Sequence, residues 1–371
     1  MQTTVKRLSL FLLVLIIMLT LVGCGGGKTD TATSKTAIPD DGQEILITGL
    51  SDNDYKITVG DLKKLPAVTK RARATRADGE TVKVKATGPL LEDVLQQEGK
   101  SVKDYSTIRF TARDGYSIAV PPDVLKSREI ILAYHIDGKP LDAENEPVRV
   151  VIPGERAMYW MRMLDRIDLE SGAEQMPITK VVFLETAVKT LPQEDYQHFD
   201  SIDKAIKTKD LIDSYAETDK VKNVFIKASD GLHKNETKSN FLSAYIKITG
   251  KEVPKFLAPH LPQGMHVRDV LYINYGETSF LSYSQGQKVL SLQTLDGQSG
   301  IALSDVIKQT GLSRAAKYKF SSLDSQSLEL AVNELGTGLI YQNSQGVLAF
   351  SCPGAADKSL DNLLSIECMK Q

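Results

Sequence analysis

A twelve-residue pattern recurs along this chain and limits what it can fold into. Gly88-Pro89-Leu90-Leu91-Glu92-Asp93-Val94-Leu95-Gln96-Gln97-Glu98-Gly99 is echoed by Gly300-Ile301-Ala302-Leu303-Ser304-Asp305-Val306-Ile307-Lys308-Gln309-Thr310-Gly311. Both place apolar residues at helical spacing and then a glycine, the usual left-handed stop. Lys209 to Tyr215 is a weaker third version. The alternating run Ile108 to Tyr116, with its Asp114-Gly115 turn, is matched by Val224 to Gly231 and faintly by Lys319 to Asp324. Ala133-Tyr134 returns as Ala244-Tyr245 and Ile340-Tyr341, and Ile152-Pro153-Gly154 as Cys352-Pro353-Gly354. Met161 to Ile167 resembles Val267 to Ile273. The shared order predicts three related units, 45–172, 173–280 and 281–371, each of strand, helix, hairpin, short helix and closing strand. One such unit is marginal alone, so the last two are expected to combine into one domain.

The other strong signal is an address. Lys6 and Arg7 precede an apolar run that ends in Leu21-Val22-Gly23-Cys24. A positive start followed by a short apolar core reads as a secretory signal. The ending resembles the lipobox of bacterial lipoproteins, which implies lipidation of the Cys24 thiol and removal of residues 1–23. Residues 24–44 are rich in Gly, Thr, Ser, Lys and Asp and read as a flexible tether. The chain is therefore expected outside the cytoplasm, held at the outer face of the cell membrane by lipid on Cys24. Cys352 and Cys368 are then the other two thiols. In an oxidising compartment they form either a disulfide or two free thiols.

The first unit resembles the oxidoreductase molybdopterin-binding domain of the sulfite oxidase superfamily. The resemblance rests on Val59-Gly60-Asp61-Leu62-Lys63-Lys64-Leu65-Pro66, Gly88 to Leu95, Asp114-Gly115-Tyr116, Leu132 to Leu141, Pro147 to Gly154 and Trp160. It implies an α+β fold of mixed sheets with a barrel-like core, the later units being diverged copies. It also implies a cysteine thiolate on molybdenum, supplied by a loop within Lys70 to Thr87. That loop holds no Cys, and Arg or Thr cannot replace a soft thiolate. Asn145-Glu146 stands where His-Gly is common, and Tyr159-Trp160-Met161-Arg162 replaces a Ser-x-Lys-Trp-like stretch. The expectation is a scaffold without a metal and without a catalytic residue, serving as a ligand-binding or interaction module. The alternative is an extracytoplasmic oxidoreductase holding molybdopterin or another redox cofactor.

Lys+Arg is 45 against 47 Asp+Glu, which lacks the basic footprint of a nucleic-acid binder. No nucleophile elbow, phosphate loop or helical pair of histidines occurs. Lys70, Arg71, Arg73 and Arg76 form a local basic cluster, read either as an anion grip or as a solvated loop. Arg71, Arg73, Tyr134, His135 and Arg149 are the ligand-binding candidates of the first unit. Trp160 is read as an aromatic lip or as core. The partners expected are membrane lipid through Cys24 and a ligand or envelope protein whose identity the sequence leaves open.

Overall fold

The computed structural model describes residues 40–371 apart from 51–53, 77, 121, 171–175, 199–200, 218–219, 262–264, 296, 336–337, 353–354 and 370–371. The signal sequence, Cys24 and residues 25–39 lie outside the described residues, as does the expected boundary at residue 172. Ordered structure starts earlier than the tether reading implied. A 3-10 turn spans Asp40–Gly42, and Glu44 already opens the first strand. An ion pair between Asp41 and Lys63 fixes that turn to the first helix.

The strand Glu44–Thr48 buries Ile45 and Ile47 on one face, as period-two alternation requires. It runs parallel to the strand Leu164–Glu170, which pairs antiparallel with Thr107–Ala112. With Tyr55–Thr58 and Ser117–Val120 at its edges this makes a five-stranded sheet. The helix Val59–Lys64 starts at a capping box: Thr58 Oγ1 accepts the Asp61 N–H at 3.0 Å, and Asp61 accepts the Thr58 N–H at 3.2 Å. A long hairpin, Ala67–Thr75 with Thr81–Pro89, continues into His135–Ile136 and Lys139–Pro140. One hydrophobic core, running from Ile45 to Leu169, joins these layers.

The rest of the chain is organised by one eight-stranded sheet. At its centre Lys180–Phe183 lies parallel to Thr278–Leu281. On one side follow Val270–Tyr275, Asn223–Ala228 and His233–Thr237; on the other Leu363–Cys368, Lys317–Ser322 and Ser327–Ala331. Val182 and Phe280 face one core while Val181, Phe183 and Leu281 face a second. The two central strands thus serve both cores. The expected boundary between residues 280 and 281 falls inside one of them, because Thr278–Leu281 is held by backbone bonds to both neighbours.

Three tight turns share one geometry. Gly115 and Gly231 both have φ +85°, and Ser325 has φ +64°. Each follows an aspartate, and each hairpin closes alike: Ala112 N–H to Tyr116 O, Ala228 N–H to Leu232 O, Ser322 N–H to Gln326 O. The residue before each of the strands Leu164–Glu170, Val270–Tyr275 and Leu363–Cys368 also has positive φ: Met163 +51°, Asp269 +50°, Asn362 +51°. Their carbonyls accept the N–H of Arg113, Ser229 and Leu323 respectively.

The molecule is mixed α+β and strand-rich. The barrel-like closure expected from the resemblance is not found: the sheets among the described residues are open and end in edge strands. Short edge strands such as Ser117–Val120 are covered by neighbouring segments and need no ring closure. The disulfide is not made either. Cys352 and Cys368 are free, their thiols turned to the carbonyls of Leu335 and Ser313 at 3.5 and 3.2 Å. Burial pushes both thiols up. No helix among the described residues is long and apolar enough to cross a membrane.

Candidate functional site

The basic cluster lies on a hairpin strand and not in a loop, so alternation sorts its side chains. Ala72, Ala74, Val84 and Ala86 turn into the core. Arg71, Arg73, Lys83 and Lys85 turn outward and are exposed. Register sets Arg71 opposite Lys85 and Arg73 opposite Lys83. Lys70 points the other way and pairs with Glu129, while Arg76 reaches Glu80 at 3.3 Å. The four outward cations have no ion pair or side-chain hydrogen bond with any described residue. Together with Asp137 and the Pro153-Gly154 turn they border an open cavity of ≈ 620 Å³. Asp137 is the one acid of the lining, its Oδ1 accepting the Lys85 backbone N–H at 2.7 Å, so one carboxylate stands among four cations. Gly154 is drawn in by its N–H to Arg73 O, at 3.0 Å.

Of the five candidates, the structure brings Arg71 and Arg73 to this cavity. His135 opposes Thr87, one rung further along the same face, and lies outside the lining. Tyr134 packs edge-on against His135 at 5.1 Å, with Lys63 6.0 Å from its ring. Arg149 is placed elsewhere. It sits beside Ala133 in a two-stranded ladder, 5.9 Å from the Trp160 ring, with a buried Nε that has no partner among the described residues. Burial, and then the nearby Arg162, lower its pKa. Trp160 is core: it is 5% exposed and donates Nε1–H to Ile152 O at 2.8 Å. Lys83 and Lys85 were missed by reading the cluster as a loop. The alternation of Thr81 to Thr87 was the signal that would have found them.

His260 Nε2 meets Ser243 Oγ at 3.2 Å, and His266 Nε2 meets Ala258 O at 3.1 Å. Among the described residues no group of His, Cys, Asp or Glu could hold a metal ion.

Residues 35–177 match the profile of the oxidoreductase molybdopterin binding domain. The basic hairpin, Tyr134, His135 and Arg149 lie inside the matched segment. No curated protein matches the chain. Among solved structures, the sulfane dehydrogenase SoxCD of Paracoccus pantotrophus is similar at 15% identity and a TM-score of 0.32. That alignment covers 57% of this chain and 61% of that one, so this chain spans about three-fifths of its length.

The residues present fit the cofactor of this family only in part. Four cations with no ion pair among the described residues suit a phosphate or another anionic group. Thiolate ligation has no donor, because no cysteine lies between residues 35 and 177. Cys352 and Cys368 belong to a different core, where they are held as thiols. No chemical step through molybdenum is derived.

Proposed function

We propose that this chain is an extracytoplasmic lipoprotein, tethered through Cys24, whose molybdopterin-domain scaffold holds an anionic ligand on the Arg71/Arg73 hairpin. The observation that carries the reading is the face of Arg71, Arg73, Lys83 and Lys85, cations opposed in pairs with a single carboxylate, Asp137, among the described residues of the lining. Like charges directly opposite each other destabilise a ladder. A bound anion removes that repulsion and gains several charge-assisted hydrogen bonds. The absence of cysteine from residues 35–177 favours binding over redox catalysis. The lipid anchor rests on the Leu21-Val22-Gly23-Cys24 sequence alone. The recurring turns at Gly115, Gly231 and Ser325 support descent of the three segments from one unit.

The match of residues 35–177 favours a second reading, an oxidoreductase that binds molybdopterin. One experiment separates the two. The full chain is purified in detergent without chelators, analysed for molybdenum and pterin fluorescence, and titrated with pyrophosphate by calorimetry. Pyrophosphate uptake that disappears in Arg71→Ala/Arg73→Ala/Lys83→Ala/Lys85→Ala, with no metal present, supports the anion site. Stoichiometric molybdenum with pterin fluorescence transfers the case to the second reading. Absence of uptake in the unmodified chain removes the first.

A further inference from the structure

A second cleft, of ≈ 1230 Å³, lies far along the chain from the basic hairpin. Its floor is a row of residues crossing four neighbouring strands of the eight-stranded sheet. Thr278 opposes Lys180, Lys180 opposes Glu367, and Glu367 opposes Lys319. Residues directly opposite in a sheet share a face, so this row presents lysine, glutamate, lysine in alternation. Neighbouring strands lie about 4.8 Å apart, so the row extends over roughly 14 Å. The facing side is lined by the end of the helix Thr208–Tyr215 and by Ala216, Glu217 and Lys220, of which Glu217 and Lys220 are exposed.

The charges divide into two groups. Some are already engaged: Lys180 donates to Tyr215 O at 3.3 Å, Asp213 pairs with Lys209, and Glu277 accepts the Thr179 hydroxyl at 3.1 Å. Lys319, Glu367, Glu217 and Lys220 make no ion pair or side-chain hydrogen bond with a described residue. Lys319 and Glu367 stand in register on adjacent strands and still do not pair with each other. The four free groups are two cations and two anions. A ligand of one sign would meet as much repulsion as attraction. A single small molecule needs only about 300–1,000 Å³, and the cleft, at ≈ 1230 Å³, exceeds that.

From this arrangement we infer that the cleft between the second and third segments binds an extended peptide whose charges alternate in sign along each of its two faces. Its acidic side chains meet Lys319 and Lys220, and its basic side chains meet Glu367 and Glu217. The site is separate from the basic hairpin and stands whether or not the anion reading does.

The test titrates the full chain in detergent with the synthetic tetrapeptide Glu-Glu-Lys-Lys, whose charges alternate along each face when it is extended, with tetraglutamate and tetralysine as controls. The alternating peptide is expected to bind best. Lys319→Ala/Glu367→Ala should weaken it about tenfold or more, since two charge-assisted contacts are lost. Glu217→Ala/Lys220→Ala on the facing wall should act alike, and serves if the first variant folds poorly. The four-alanine hairpin variant should leave the peptide affinity unchanged. No binding of the alternating peptide overturns the inference. So does affinity unaffected by both cleft variants, or equal affinity for tetraglutamate or tetralysine.

Discussion

Arg73 and Lys83 oppose each other across a hairpin, both exposed, with no acid paired to either. The arrangement stores repulsion that an anion relieves, so stability and binding should respond in opposite directions. Lys83→Glu is expected to stabilise the free protein by about 0.5 kcal/mol through a new cross-strand pair with Arg73. The same change should weaken pyrophosphate binding. Urea unfolding and calorimetry on the same samples check both signs. A variant that loses stability along with binding would speak for a purely structural role.

Lys234 and Glu236 form an ion pair at 2.7 Å with neither side chain exposed. Lys234 also donates to Met265 O at 2.7 Å, and Glu236 accepts from Asn240 and the Thr237 N–H. Burial alone would raise the Glu236 carboxyl, but Lys234 and these hydrogen bonds hold it low. Glu236→Gln strands a buried ammonium and should cost roughly 3–5 kcal/mol. Lys234→Met/Glu236→Leu should lose clearly less. Chemical denaturation of the three proteins decides it, and equal losses would contradict the account.

The capping box of the first helix gives a pH prediction. Hydrogen bonds from Lys64 and Thr58 lower the Asp61 pKa from 3.8 to about 2. A depressed carboxylate adds stability that is present above its unfolded value and disappears as pH falls through the folded one. The contribution of Asp61 is therefore expected in full above about pH 4 and lost toward about pH 2. In Asp61→Asn, the slope of thermal midpoint against pH across that window should be shallower than in the unmodified chain.

Two glycines permit close crossings of backbone. A Cβ on Gly88 would sit 2.0 Å from Leu132 O, and one on Gly300 would sit 2.2 Å from Ile340 O. Neither obstacle is a flexible side chain. Gly88→Ala and Gly300→Ala should each cost about 2–3 kcal/mol by overpacking. Gly79→Ala serves as the comparison for backbone effects, since a Cβ there has nothing within 4 Å. Its φ of +88° still makes it mildly unfavourable.

Ser325 occupies a turn position where its two counterparts are glycine, at φ +64° and exposed to solvent. A left-handed conformation costs a side-chain-bearing residue about 1–2 kcal/mol. Ser325→Gly should therefore raise stability by about 1 kcal/mol, read as a higher unfolding midpoint. An unchanged or lower midpoint would show that the serine side chain contributes something the turn geometry does not reveal.

Much of this molecule was legible in its residues because local rules govern those parts. Gly99 and Gly311 marked left-handed stops, and the Asp-Gly turns marked hairpins, since steric demands on φ act within a few residues. The α+β class and the match of residues 35–177 followed from ordered short motifs, whereas reading the basic strand as a loop hid its outward face with Lys83 and Lys85. Pairing across the chain was not legible. Nothing local says that Lys180 lies beside Glu367 and Thr278, that Cys352 and Cys368 stay apart, or that Arg149 turns to Trp160 and away from Arg73. These follow from register and packing between distant segments, where burying both central strands outweighs any single residue's preference.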